Sequence, residues 1–120
     1  VSDVYRVANE TRGTVLAERS GRVHNPVSRG LGLMGKKGLP PDGGLIIEPC
    51  SGVVSFFMRF PIDVVFLDAD RRVVHLVEHL RPWKASKIVR ASRLVVELPT
   101  GTIGQTGTKL GDTISIAPVS

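Results

Sequence analysis

The sequence predicts a mainly β domain, β-rich α+β in class: a small partly closed barrel or curled antiparallel sheet with one or two short helices. Three observations predict it. Runs of β-branched and aromatic residues recur along the chain, "GLIIEP", "IDVVFLD", "RVVHLVEHL", "SRLVVELP" and "TISIAP", and these residue types fit a pleated, half-buried surface. Turn chemistry separates the runs, most clearly in "DADRR" and "TGTIGQTGTKLGD". Helical spacing is confined to one short stretch. With 120 residues, the chain is expected to form a single domain over 1–120, hiding roughly two-thirds of the surface its unfolded chain exposes.

In chain order, "VYRVA" at 4–8 and "TVLA" at 14–17 are short strands separated by a polar turn with Gly13. Asn25 then caps a helix over 26–34, with Pro26 in its first turn and Val27, Leu31 and Met34 on one face. Gly30 and Gly32 each weaken that helix by about 1 kcal/mol relative to Ala. "KKGLPPDGG" is a loop. "GLIIEP", "VVSFFMRF", "IDVVFLD" and "RVVHLVEHL" follow as strands, with Pro61 at the joint of the second and third, marking a bend or edge. "DADRR" is a tight hairpin turn that accounts for Asp68 and Asp70. "SRLVVELP" and "TISIAP" complete the sheet. The glycine-rich bend between them lacks the Gly-Lys-Ser/Thr ending of a phosphate loop and is not expected to lead from a strand into a helix. It resembles the turn before a closing barrel strand, with Asp112 capping it.

Several of these segments, in order, carry a family resemblance: "SRGLGLMGKKGL", "GGLIIEPC", "FFMRFPIDVVFLDADRRVV", "RPWKAS", and "VVELPTGT" followed by "LGD". Together they resemble the Domain of Unknown Function 192 family of small prokaryotic proteins, from about Ala8 to Ile116. The resemblance implies a fold and a set of positions but no reaction, since the family has no established biochemical activity. Many members have a His shortly before the Phe-Phe-Met stretch, where this chain has Val54, and many begin with a secretion signal.

Composition narrows the chemistry. Hydrophobic residues make up 42% and aromatic residues 5%, so the core is built from Val, Leu and Ile with a few Phe. The single cysteine, Cys50, excludes an intramolecular disulfide and a multi-cysteine zinc site. It suits a reducing compartment, so a cytoplasmic location is expected, with export after removal of a leader as the alternative. The opening "VSDVYRVANETRG" has no apolar stretch long enough for a signal peptide or membrane span. No cofactor or metal is implied. The "HLVEH" of residues 75–79 matches a zinc-protease pattern that works on a helix. In the strand expected here, the two His would stand roughly 13 Å apart, too far to share one metal.

The net charge of +5 has a local origin. Between His79 and Val96 lie Arg81, Lys84, Lys87, Arg90 and Arg93 and no acid, leaving 11 basic against 11 acidic residues elsewhere. Around Trp83 this segment offers a nucleic-acid-binding surface, with cations for phosphates and an indole for stacking. The alternative reading is a solvated basic stretch with Trp83 packed on the domain surface.

Arg59 and Asp63 interrupt the apolar run "FFMRFPIDVVFLD" on the same strand parity. A charged pair at a pocket wall, its guanidinium taking a carboxylate or phosphate, is one reading. A partly buried ion pair that fixes strand register, or an arginine reaching solvent along its aliphatic stem, is the other. Glu97, the acid inside "RLVVELP", could meet Asp63 as a carboxylate pair for acid/base chemistry or metal binding, or serve as a structural acid at a sheet end. Cys50 is a candidate nucleophile that no motif ties to His24, His75 or His79.

These features favour a non-catalytic binding or accessory domain, with Arg59, Asp63, Trp83 and Glu97 as ligand-binding residues for an anionic small molecule or protein segment. An enzyme using Asp63, Glu97 or Cys50 is the first alternative. Nucleic-acid binding through residues 81–93, possible but not favoured, is the second.

Overall fold

The structure is a computed structural model and describes residues 4–24, 39–53 and 59–119. The expected helix over 26–34 lies outside these residues, as does most of "VVSFFMRF". Among the described residues there are seven strands: β1 (Tyr5–Asn9), β2 (Thr14–Val23), β3 (Gly43–Ile47), β4 (Ile62–Leu67), β5 (Val73–Leu80), β6 (Leu94–Pro99) and β7 (Ile114–Pro118). Each corresponds to one of the apolar or alternating runs in the sequence. They form one curled sheet, a half-barrel, in the order β5-β4-β6-β3-β2-β1-β7.

All neighbouring pairs are antiparallel except β2 and β3, which run parallel. One parallel pair among antiparallel ones fits the mostly antiparallel curled sheet expected from the sequence. Parallel strands require a crossover of a dozen or more residues, and the segment between Val23 and Gly43 is long enough to supply one. The two edge strands approach at one end, where Arg72 bridges Thr113 and backbone N–H groups of Val73 and Ile114 donate to Asp112 and Arg71. That bridge closes the curl partway.

Strand alternation builds two apolar layers. On β4 every residue is buried, but Val65 and Leu67 join the inner cluster with Val7, Leu16, Ile46, Val96 and Leu98. Ile62, Val64 and Phe66 join an outer cluster with Ile47, Val95, Val53 and Val89. Burial on both faces explains why this strand reads as a continuous apolar run. The outer layer is covered in part by residues 81–93. They leave the sheet after Leu80, which pairs with Ile62, and return at Arg93, whose N–H donates to Leu67 O. Between these points, Ser86 N donates to Val53 O at 2.8 Å and Val89 N to Ser51 O at 2.7 Å.

Among the described residues one short helix, α1 (Thr102–Thr106), follows β6 through Gly101, whose φ of 93° favours glycine. This corrects the expectation that the glycine-rich bend does not lead from a strand into a helix. Gly104 is a poor helix former, and tertiary contacts hold the single turn instead: Ile103 is buried in the inner cluster, and Thr14 Oγ1 donates to Thr106 O at 2.9 Å. No helix among the described residues is long and apolar enough to cross a membrane.

Candidate functional site

Asp63 is completely buried on the inner face of β4, aligned with Val65 and Leu67. Its Oδ1 accepts the backbone N–H of His79 at 2.9 Å. Its Oδ2 accepts those of Gly101 at 3.1 Å and Ile103 at 2.9 Å. The glycine-rich bend thus presents its N–H groups to an anion as a phosphate loop would, but the anion is the protein's own side chain. This carboxyl ties the end of β5 to the start of α1. His79 has a left-handed φ of 56°, and its Nδ1 lies 2.9 Å from Thr100 Oγ1. Asp63 therefore fixes the backbone on both sides of that side-chain contact.

Arg59 is exposed, and no ion pair among the described residues joins it to Asp63. The expected charged pair is not formed because backbone amides take both carboxyl oxygens. Nor do Asp63 and Glu97 meet. Asp63 is opposite Leu98 across the β4–β6 ladder, whereas Glu97 is opposite Val64. Residues directly opposite project to the same face, so the two acids point to opposite faces of the sheet and form no acid/base pair.

Glu97 is 5% exposed. Its neighbours within the sheet on the outer face are apolar: Leu45 and Val64 across the ladders, and Val95 and Pro99 along β6. Its carboxyl makes no hydrogen bond among the described residues, and burial alone pushes its pKa up to about 8.

Cys50 is partly buried beside the outer cluster, and its thiol donates to Gly52 O at 3.0 Å. His75 lies on β5, in the strand setting expected for it, with its ring 5.2 Å from that of Phe66. Its pKa is lowered by burial and then by the charge of Lys87. No group of three or more His, Cys, Asp or Glu among the described residues is placed to hold a metal ion.

All five basic residues of the 81–93 segment are exposed: Arg81, Lys84, Lys87, Arg90 and Arg93. Trp83 is 57% exposed with a φ of 64°, and Ile88 is 68% exposed. Backbone bonds to residues 51–53 and the buried Val89 anchor this strip, so the cations stand on an ordered ledge.

Sequence reasoning missed a second buried polar centre. Asp112 Oδ2 accepts from the Asn9 side chain at 2.9 Å, Arg12 Nε at 3.0 Å and the Lys109 backbone N–H at 2.9 Å. The last of these is the turn cap expected of Asp112. The Arg12 hydrogen bond is the main cause holding the Asp112 carboxyl down at about 2; burial opposes it, while Asn9 and the Lys109 amide assist. Asn9 and Asp112 are far apart in the chain, and only the pairing of β1 with β7 announces their meeting.

Comparisons with known proteins agree with this architecture. The model of the Domain of Unknown Function 192 family, described as an uncharacterized ACR, matches residues 8–116. A UPF0127 protein of Pyrococcus furiosus is 32% identical over 109 residues, covering 87% of this chain and 91% of that protein. A UPF0127 protein of Thermococcus sibiricus is 39% identical over 59 residues, so the matched stretch spans 49% of this chain and only 38% of that relative. The crystal structure of a protein of unknown function from Novosphingobium aromaticivorans superposes with a TM-score of 0.80 at 24% identity, covering 93% of this chain and 83% of the other. That likeness speaks to the fold alone. With the family match running across nearly the whole sheet, the chain belongs to the Domain of Unknown Function 192 family, which its archaeal relatives carry under the name UPF0127.

Proposed function

We propose that the protein is a non-catalytic binding domain whose basic ledge, residues 81–93, docks an extended anionic partner. One observation carries this reading: five exposed cations and two exposed large apolar side chains occupy one anchored strip that contains no acid. Clustered cations attract anions over distances comparable to the Debye length, and an exposed indole adds a flat apolar contact. An extended contact fits better than a small pocket shared by Arg59, Asp63, Trp83 and Glu97. Asp63 is engaged by three backbone amides and faces away from Glu97, while Trp83 belongs to the ledge. The enzyme alternative draws less support, because its two carboxyls are on opposite faces and the Cys50 thiol is directed to a backbone carbonyl.

The test uses the fluorescence of Trp83, the only tryptophan. A single-stranded oligonucleotide and polyglutamate are titrated into the protein at about 50 and 200 mM salt, the range over which phosphate contacts weaken sharply. Saturable binding that weakens with salt supports the reading, and the two probes separate a phosphate polymer from an acidic peptide. Absence of a response to both at the lower salt overturns it.

A further inference from the structure

The two edges of the curled sheet differ. β7 is five residues long and ends in Pro118, which has no N–H to offer, and the Ile114 N–H at its start is given to Arg71 O. β5 is eight residues long and holds neither proline nor lysine. Short edges, prolines and lysines are the usual protection against unwanted strand pairing, so β7 has that protection and β5 has not. Among the described residues, Val73 is the only member of β5 with a backbone-to-backbone bond outside the β4 ladder, giving its N–H to Asp112 O and taking that of Gly111. At the far end His79 leaves the extended conformation with a φ of 56°. The open window of this edge is therefore Val74 to Glu78.

Alternation gives this window two unlike faces. His75 and Val77 stand opposite Phe66 and Val64 on the outer face, and Leu76 stands opposite Val65 on the inner one. The basic ledge continues directly from the end of β5 and crosses β4 on the outer face, with Val89 in the outer cluster. Its Ser86 and Val89 amides bond to residues 53 and 51, in the connection that crosses β6 on its way from β3 to β4. The opposite flank of the ledge is thus turned toward β5, where the charge of Lys87 acts on the His75 ring. Glu78, the one acid of the window, has its Oε1 beside Gly104 of α1, which packs on the inner cluster, and so does not offset the ledge.

We propose that the partner of the ledge is an acidic peptide segment that joins the sheet as an added strand on β5, pairing with Val74 to Glu78 and turning a carboxylate at every second position toward the ledge. This rests on the reading of the ledge given above and names the class of its partner. Residues directly opposite one another project to the same face, so acids opposite His75 and Val77 meet the cations, while a small apolar residue beside Leu76 extends the inner layer. In this mode of recognition the main chain supplies affinity and alternate side chains supply specificity. A nucleic acid has no peptide backbone to offer the edge. A second copy of this chain would set another acid-free ledge beside the first, and like charges oppose that approach.

The test uses a capped peptide of about seven residues, alternating glutamate and valine, and two derivatives N-methylated either at every glutamate or at every valine. Only alternate N–H groups of a paired strand point at its neighbour, so the two derivatives carry the same charge but differ in the bonds they can make. Binding is followed by NMR through the amide resonances of the isotope-labelled protein at about 50 mM salt. The parent peptide should bind with its largest shifts at residues 74–78, and one derivative should lose at least about tenfold in affinity while the other stays within about threefold. Equal binding of the two derivatives, or shifts confined to residues 81–93, overturns the added strand and leaves the ledge reading standing, because charge alone then holds the peptide. Binding of a single-stranded oligonucleotide but not of the peptide does the same. Failure of the peptide, polyglutamate and the oligonucleotide alike overturns both. A peptide-free dimer whose dissociation on dilution shifts residues 74–78 overturns the proposal in favour of a second copy.

Discussion

Asp63 and Glu97 lie on adjacent strands one residue out of register, so one carboxyl faces the barrel interior and the other the outer apolar layer. Their surroundings differ as much as their directions. Three backbone N–H groups surround Asp63, while the sheet residues directly opposite Glu97, Leu45 and Val64, are apolar.

Asp63 is expected to be structural. Asp63→Ala leaves three amide donors without their acceptor, and removing acceptors from buried donors costs roughly 3 kcal/mol or more in total. Asp63→Asn keeps one carbonyl oxygen and should lose less. Urea denaturation of both variants checks the order, and an alanine variant within about 1 kcal/mol of wild type would refute this role.

Glu97 should impose the opposite behaviour. Its folded-state pKa of about 8 lies above the ordinary 4.5, so the fold binds the proton more tightly than the unfolded chain. Its contribution is full below about 4.5, declines as pH rises toward about 8, and is constant beyond. Relative to Glu97→Gln, the wild type should lose roughly 4 to 5 kcal/mol across that window. Denaturation of both proteins at acid, neutral and mildly alkaline pH gives the difference curve.

For Asp112 the sign reverses. Its pKa is depressed from 3.8 to about 2, so its stabilisation is present above 3.8 and is lost as pH falls through about 2. Asp112→Ala should cost about 2 kcal/mol at neutral pH by leaving the Asn9 amide and the Lys109 N–H without their acceptor. It should also flatten the acid limb of the stability profile, read by circular dichroism during acid titration.

The close approach of β2, β3 and β6 depends on Gly44. A Cβ there would meet Ser20 Oγ at 2.8 Å, the Glu97 carbonyl oxygen at 3.1 Å and Leu98 Cδ2 at 3.2 Å. Gly44→Ala should therefore destabilise by roughly 1 to 3 kcal/mol through overpacking. Ser20→Ala should be neutral or stabilising by up to about 1 kcal/mol, because the buried Ser20 hydroxyl has no hydrogen-bond partner among the described residues. Thermal melts of the two variants should move in these different directions.

The strands were legible because each carries either alternation or a two-faced apolar run, as in "IDVVFL" of β4. The ledge was legible because its charge is a local excess that no acid offsets. What escaped was long-range. The partners of Asp63 are backbone amides of residues 79, 101 and 103, and no side-chain spacing marks such a contact. The separation of Asp63 from Glu97 depends on ladder register, which neither strand states alone. The turn of α1 escaped because Gly101 and Gly104 read as bend residues, and the acceptor that organises its start comes from another strand. The parallel β2–β3 pair likewise depends on the path of the connection rather than on the residues that pair.

The pairing of β1 with β7 places the first and last strands of this sheet side by side, from Tyr5 opposite Pro118 to Asn9 opposite Ile114. Synthesis separates the two by the whole of this sheet: β1 precedes the other six strands, yet its second neighbour, β7, is the last of the seven to be made. Until then β1 can form a hairpin with β2 but presents an open edge, and Asn9 lacks its Asp112 partner. Such distant pairing slows folding because a long loop must close before its contacts form. A nascent chain stalled before β7 would therefore expose a template for intermolecular strand addition, a hazard removed only when β7 joins β1.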